Sequence, residues 1–375
     1  MSFDLSHKPC TLNLYPLSFD LSRFTPHVYM KPDIQIIDPI ECEGWDELLL
    51  SSEGYSFFHS STWAKVLKET YGYSPAYFTI FDNGKLQALV PVMQVDSFLT
   101  GKRGVSLPFT DYCDAIISDG IAFDSLFDQI LQYGKSHGWK FFEIRGGNGS
   151  PILAAVSCTY SRHMLDLRRG ADEIFSNFKD NTRRNIRNAI KRGVKVEVST
   201  TLDSLKAFHK LNLMTRRRHG LPAQPFHFFE KVHEHILSKN LGFVVLASYE
   251  GVFIAGAVFF HLGKKAVYKY GASDKKFHHL RPNNLVMWEA IKWFSQNGYD
   301  SLCFGRSEPD NSGLNQFKSG WGTTEHRIHY YRYDIRKNSF VSASPKVTGF
   351  HNKIFRKIPV PILNSIGNIL YKHVG

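Results

Sequence analysis

Apolar positions along the chain switch repeatedly between a period near 3.6 and a period near 2, so helices and strands alternate. From Ile34 the pattern is compact. IQIID predicts a short strand and GWDELLLSS a short helix. SSTWAKVLKETYG predicts an amphipathic helix with Trp63, Val66 and Leu67 on one face, and Ile186 and Ile190 form the apolar face of a later one. AYFTIFDNGKLQALVPVMQV predicts a hairpin about Asp82-Asn83-Gly84, because Asn and Gly tolerate the positive φ that tight hairpin turns need. RGVSLPFTDYCDAII reads as a strand and a polar loop, SLFDQILQYGKSHG as a helix and WKFFEIR as a strand ending at Arg145, before Gly146-Gly147-Asn148-Gly149.

The order then recurs. HFFEKVHEHILSK is a helix, GFVVLASYEGVFIAGAVFFHL a hairpin, KKAVYKYGAS a strand, NNLVMWEAIKWFSQNG a helix and DSLCFGR a strand ending at Arg306. Each late helix ends in Gly plus an aromatic residue, Gly138-Trp139 and Gly298-Tyr299. Identity between the copies is low, so the repeat is structural. It predicts two α/β (α+β) domains of similar topology, 33–168 and 169–336, facing each other across a cleft. Residues 1–32, with a twice-occurring Ser-Phe-Asp-Leu-Ser, read as a poorly ordered leader. Residues 337–375 read as a basic amphipathic tail.

Charge sharpens this picture. The formal net charge is +12, and the positive residues cluster. No acid offsets the helix from Thr182 to Lys195, which carries Arg183, Arg184 and Arg187. A second cluster, Thr215–His219, holds Arg218. Such clusters suit an anionic partner, and they equally suit a solvated face. The tail 347–375, with Lys346 just before it, has five Lys and Arg and no acid. Its Ile362, Leu363, Ile366, Ile369 and Leu370 form one apolar face, which fits either packing on the protein or lying on an anionic inner-membrane surface. Five cysteines without a CxxC pair argue against a zinc site or a disulfide framework. No metal, no signal peptide and no membrane-spanning run are expected, so the chain reads as cytoplasmic, peripheral to the inner membrane if the tail docks there.

Signatures of serine hydrolases, HExxH metalloproteases, P-loop enzymes and dinucleotide folds are absent. The chemistry is instead expected between Tyr268 and Trp321, where polar groups gather at strand ends. Tyr268 and Tyr270, two apart, would share a strand face and line the cleft with Ser273. Arg281, Asn283 and Asn284 open a helix whose amides can hold an anion. Arg306 and Lys318 would bind an acceptor phosphate or carboxylate. Asp111 is the candidate base or amine anchor, although Asp in such a loop also caps turns. Trp321 is placed at the substrate wall, with packing as the ordinary alternative. Lys318 and Tyr268 join Asp111 as candidate catalytic groups.

FKDNTRRNIRNAIKRGVKVE, RRRHGLPAQPFHFFE and YKYGAS…RPNNLVMWEAIKWFSQNGYDSLCFGRS…GLNQFKSGWG, in this order, resemble the Fem-type peptidyltransferases and their BioF2-like, GNAT-related acyltransferase relatives. The resemblance implies tandem GNAT-like domains, each a mixed sheet flanked by helices. It also implies transfer of an acyl or aminoacyl group to an amine or hydroxyl of a lipid- or nucleotide-linked cell-envelope saccharide or peptidoglycan-type precursor. The donor would be acyl-CoA or aminoacyl-tRNA, with no tightly bound cofactor. The GNAT pyrophosphate loop is missing, and HHLRPNNL stands in its place. The long helical arm of some Fem proteins has no counterpart, which weakens a tRNA-binding role. The rival reading is a non-catalytic module holding RNA or anionic membrane lipid.

Overall fold

The turn chemistry acts where expected in the computed structural model, which describes residues 33–119, 121, 123–146, 155–342 and 354–375. Asn83 (φ 49°) and Gly84 (φ 74°) join β2 (Ser74–Asp82) to β3 (Lys85–Val95). Glu250 (φ 50°) and Gly251 (φ 79°) join β9 (Gly242–Tyr249) to β10 (Val252–Leu262). The expected leader, Cys10, Gly147–Gly149 and 347–353 lie outside the described residues. The helices also follow their signals. In α2 (Ser61–Tyr71), Ser60 accepts from Trp63 N–H and Gly72 closes the helix in the left-handed region at φ 73°.

One mixed sheet carries both halves. Its order begins at β1 (Ile34–Ile37), followed by β2, β3, β4 (Arg103–Val105) and β6 (Phe141–Arg145). It continues through β13 (Thr324–Asp334), β7 (Cys158–Asp166), β12 (Ser301–Ser307), β11 (Lys265–Ser273), β10, β9 and β8 (Lys195–Ser199). Short β5 (Ile116–Ile117) and β14 (Ser339–Phe340) pair with β3 and β13. The repeat is visible in this order: among the described residues β4–β6 and β11–β12 pair in parallel, and the other pairs are antiparallel. The halves then exchange strands. β7 follows β6 in the chain and pairs with β12 of the other half, while β13 follows β12 and pairs with β6. β7 and β13 pair with each other along the middle of the sheet.

Among the described residues, three apolar clusters sit on this frame. One is shared by both halves: α2 packs on α7 (Phe226–His235), with Trp63 against Phe228 at 6.1 Å and Phe57 against Phe260 at 4.9 Å between ring centroids. A second joins α5 (Asp180–Lys191) and α8 (Pro282–Gln296) to the second half. The third packs α3 (Phe123–Ser136) on the first half. In α5 the inward residues are Ile186 and Ala189, and Ile190, expected inside, is 56% exposed because an i, i+3 pair faces α8. Cys42, Cys113, Cys158 and Cys303 are free thiols.

Candidate functional site

Two bulges at one level of the sheet build the site. Between β10 and β11, Val258 pairs with Tyr270 and Phe259 with Tyr268, so Lys269 is an extra residue on β11. Between β12 and β7, Cys303 pairs with Met164 but Arg306 with Arg162, and Gly305 takes φ 67°. The parallel pairing of β11 and β12 reaches Val267↔Cys303 and goes no further, so the strands part beyond it. The bulge also breaks alternation. Tyr268 packs with Phe259 and Phe304, whereas Tyr270 packs on the opposite face with Phe228 and Phe229. The expectation that the two tyrosines share a face is therefore corrected.

A cavity of about 350 Å³ lies beside the bulges, between the halves. The first half lends Phe109, Thr110, Asp111 and Arg145. The second lends Asn212, Arg216, Gln224, Lys269, Tyr270 and Arg306, and the tail lends Tyr371 and Val374. Lys269 Nζ lies 3.2 Å from Asp111 Oδ2 and donates to Phe109 O at 2.6 Å. Burial pushes this ammonium below the ordinary lysine range, and Asp111 pushes the other way. The terminal arginines of both copies meet at Tyr330 of the exchanged strand. Arg306 donates to Tyr330 Oη at 2.7 Å, and Tyr330 in turn donates to Asp111 O at 2.8 Å. Arg306 also lies over the ring of Tyr160 at 4.5 Å, and Arg145 over that of Tyr330 at 5.8 Å. The loop carrying Asp111 has Leu107 and Phe109 both at φ 58°, a conformation bulky residues rarely adopt and one found at functional loops.

Of the expected residues, Asp111, Tyr270 and Arg306 come together here. Lys318 does not line the cavity. Its Nζ donates to Gly305 O at 2.9 Å and Arg306 O at 3.0 Å, satisfying carbonyls at the bulge, and burial lowers its pKa to about 8. It therefore positions Arg306 rather than meeting a ligand. Trp321 is fully buried, 5.0 Å from Phe178 and 6.3 Å from Phe304 between ring centroids, which corrects its assignment to the substrate wall. Ser273, Asn283, Asn284 and Arg218 form a second polar group where β11 ends and α8 starts. Ser273 Oγ meets His278 Nε2 at 2.9 Å and Asn283 Nδ2 at 3.3 Å, and Arg218 donates to Ser273 O at 3.4 Å. Arg281, at φ 60°, precedes α8 with its side chain exposed. No residue of helix α5 lines the cavity. Arg183 bonds Ser176 O and Asp180, Arg187 lies over Phe175 at 5.6 Å and Arg184 is exposed. Lys269 is absent from the expected residues, although its strand carries a signal: alternation puts it in phase with the buried Val267, and a lysine there needs a partner. Arg216 and Tyr330 carried no such mark.

Gly305 tests the bulge directly. A methyl group there would lie 3.3 Å from both Asp111 Oδ2 and Tyr268 O, at a φ that L-residues resist. Gly305→Ala is expected to cost about 1–2 kcal/mol, read as a lowered Tm together with lower activity. A melting curve identical to wild type rejects the strain argument.

Beyond the cavity, α10 (Val360–Val374) packs onto the protein. Leu363, Gly367 and Tyr371 face inward, and a methyl group on Gly367 would sit 2.2 Å from Ala223 O. Buried Arg103 donates to His373 O at 2.9 Å and Gly375 O at 2.7 Å, Tyr73 Oη donates to Lys372 O at 3.1 Å, and Arg216 donates to Tyr371 Oη at 2.9 Å. Of the two readings of the tail, its inner face thus packs on the protein and walls the cavity. No helix among the described residues is long and apolar enough to cross a membrane.

Residues 176–319 match the acetyltransferase (GNAT) domain family. The chain is 22% identical to the lipid II:glycine glycyltransferases of Staphylococcus epidermidis and Staphylococcus aureus; each match covers 50% of this chain and 62% of the relative, so the chain spans less than two thirds of their length. Among solved structures, FemX superposes with a TM-score of 0.62 at 16% identity, over 79% of this chain and 96% of that one. A tandem GNAT protein from clavulanic acid biosynthesis superposes at 0.53 and 10% identity, over 81% and 98%. The strand-exchanged sheet is thus a tandem GNAT fold, and the chain is similar in sequence to the lipid II:glycine glycyltransferases and in fold to FemX.

Proposed function

We propose that the protein transfers an activated acyl or aminoacyl group to an amine or hydroxyl of an anionic, lipid- or nucleotide-linked peptidoglycan-type precursor. The observation that carries this reading is the cavity in which Arg145, Arg216, Arg306 and Lys269 converge with Asp111, the single carboxylate among the described lining residues. Four cationic groups against one anionic group suit a phosphate- or carboxylate-bearing acceptor. The glycyltransferase relatives, which act on lipid II by name, support the acceptor class. In this scheme the acceptor nitrogen or oxygen attacks the donor carbonyl and Asp111 receives its proton. The new C–N or C–O bond forms as the donor C–O or C–S bond breaks, and Asp111 returns the proton to the leaving hydroxyl or thiol. Lys269 and Arg306 provide positive potential for the developing oxyanion.

The donor approaches where β11 and β12 part, with its anionic part at the start of α8 beside Arg281 and Asn283. The GNAT match favours acyl-CoA and the glycyltransferase relatives favour aminoacyl-tRNA. The same reading keeps 33–168 and 169–336 as the two domains and puts the protein at the inner face of the membrane as a peripheral enzyme. To test it, the full chain is incubated with acetyl-CoA or aminoacyl-tRNA and with nucleotide- or lipid-linked muropeptide, and products are identified by mass spectrometry. Arg306→Ala is expected to raise the KM for acceptor by about tenfold or more, the worth of a charge-assisted hydrogen bond. An unchanged KM removes Arg306 from acceptor binding, and no transfer from either donor defeats the reading.

A further inference from the structure

The outer side of α10 presents a surface that the cavity does not use. Ile362 and Ile369 are 54% and 60% exposed and lie seven residues apart on one face, with Ser365 and Lys372 in the same stripe. The helix cannot roll to hide them, because its inner face is clamped by Arg103 and by the close approach of Gly367 to Ala223. At the end of the helix a second apolar element projects. Phe98 is 80% and Leu99 54% exposed, at the tip of the turn after β3. This tip is fixed to the helix: the Phe98 ring meets that of His373 at 4.6 Å, Thr100 Oγ1 donates to His373 O at 2.9 Å and Ser97 Oγ lies 2.9 Å from His373 Nδ1.

The charges around these apolar groups have one sign. Segments 96–102 and 354–375 carry Lys102, Arg356, Lys357 and Lys372 against Asp96 alone, and Asp96 lies 3.4 Å from Lys102. Lys140 adds a further cation, its Nζ 3.3 Å from Thr100 O. Single apolar side chains in a polar and basic surround, with no groove between them, suit insertion among lipid headgroups, where apolar burial and attraction to anionic lipid add.

We propose that the outward face of α10 and the Phe98–Leu99 tip together dock the protein onto an anionic lipid bilayer. The inner face of the same helix carries Tyr371, which lines the cavity, so docking holds the cavity wall against the membrane while a lipid-linked acceptor keeps its anchor in the bilayer. That purpose rests on the proposed acceptor; the docking itself does not, and it is tested without substrate.

The test is co-sedimentation of the full chain with vesicles of phosphatidylcholine alone or phosphatidylcholine mixed with phosphatidylglycerol. Wild type is expected to bind the mixed vesicles at least roughly tenfold more tightly than the neutral ones. Phe98→Ser/Leu99→Ser and Ile362→Ser/Ile369→Ser are each expected to weaken that binding about tenfold or more with unchanged Tm, because the side chains are already exposed. Lys372→Glu supplies an independent check, weakening binding to the mixed vesicles alone. Absence of wild-type binding, or wild-type binding by both double variants, overturns the proposal. So does a wild-type dimer in lipid-free buffer that the same substitutions dissociate, since a second copy would then cover this face. Transfer to a nucleotide-linked acceptor stays at the wild-type rate in all three variants. If wild type transfers nothing yet binds vesicles, the functional reading fails and the docking stands.

Discussion

Asp111→Asn is expected to lower turnover by about 100- to 10,000-fold, the range over which a positioned proton acceptor acts. The isostere keeps the loop, since the contact from Tyr330 is to the Asp111 backbone oxygen. It removes the group that would take the acceptor's proton, and it also leaves the Lys269 ammonium 3.2 Å from a neutral amide in a buried place. Both losses reduce rate, so a second variant separates them. Lys269→Met removes the charge that Asp111 compensates. If Asp111 serves only to neutralise Lys269, the double variant Asp111→Asn/Lys269→Met regains most of the activity. If Asp111 is the proton acceptor, the double variant stays as slow as Asp111→Asn. Recovery in the double variant refutes the assignment of Asp111 as base.

Glu143→Gln is expected to cost about 3–5 kcal/mol, the usual result of removing one member of a buried ionic group. Glu143 receives Arg145 Nε on one oxygen and Arg332 on the other, each at 2.8 Å, and its side chain is 13% exposed. Burial pushes this carboxyl up, but the two guanidinium groups outweigh burial and hold it at about 2, below the ordinary 4.5. The sign follows: the unfolded chain binds the proton first as pH falls. The stabilisation is complete above pH 4.5 and is lost as pH drops toward 2, with a total on the order of 3 kcal/mol. Urea unfolding of wild type from pH 6 to pH 2.5 should show this slope, and Glu143→Gln should flatten it. Equal slopes for both proteins contradict the account. Because Arg145 faces the cavity and Arg332 lies on β13, the variant also weakens acceptor binding and the join between the halves.

Much of the fold could be read from local rules. Asn83-Gly84 and Glu250-Gly251 set the hairpins, and the apolar faces of α2, α7 and α8 set the helices, because those signals lie within a few residues of one another. The two middle strands lack such local signals. CTYSRHMLD and TEHRIHYYRYD carry Tyr, His and Arg where an alternating strand would carry Val or Ile, since part of each faces the polar site. The site was half legible. Arg306 and Asp111 are polar groups at strand or loop ends, where ligands commonly sit. Alternation already puts Lys269 in phase with buried Val267, but its charge reads as that of a surface residue; the bulge then turns Tyr270 to the same side, which an alternating pattern does not show. The charge of Lys318 suggests a ligand group, but its contacts are the Gly305 and Arg306 carbonyls at the β12 bulge.

The strand exchange sets a timetable for synthesis. β6 ends at Arg145 and needs Tyr330, about 185 residues later, to complete its edge. At about 5–20 residues per second, the nascent first half waits roughly 10–40 s with an open, aromatic-rich sheet edge. Neither half can finish alone, so this chain should depend on chaperones during translation more than its repeat would suggest. A break between the halves should yield fragments that recover only when they are made together.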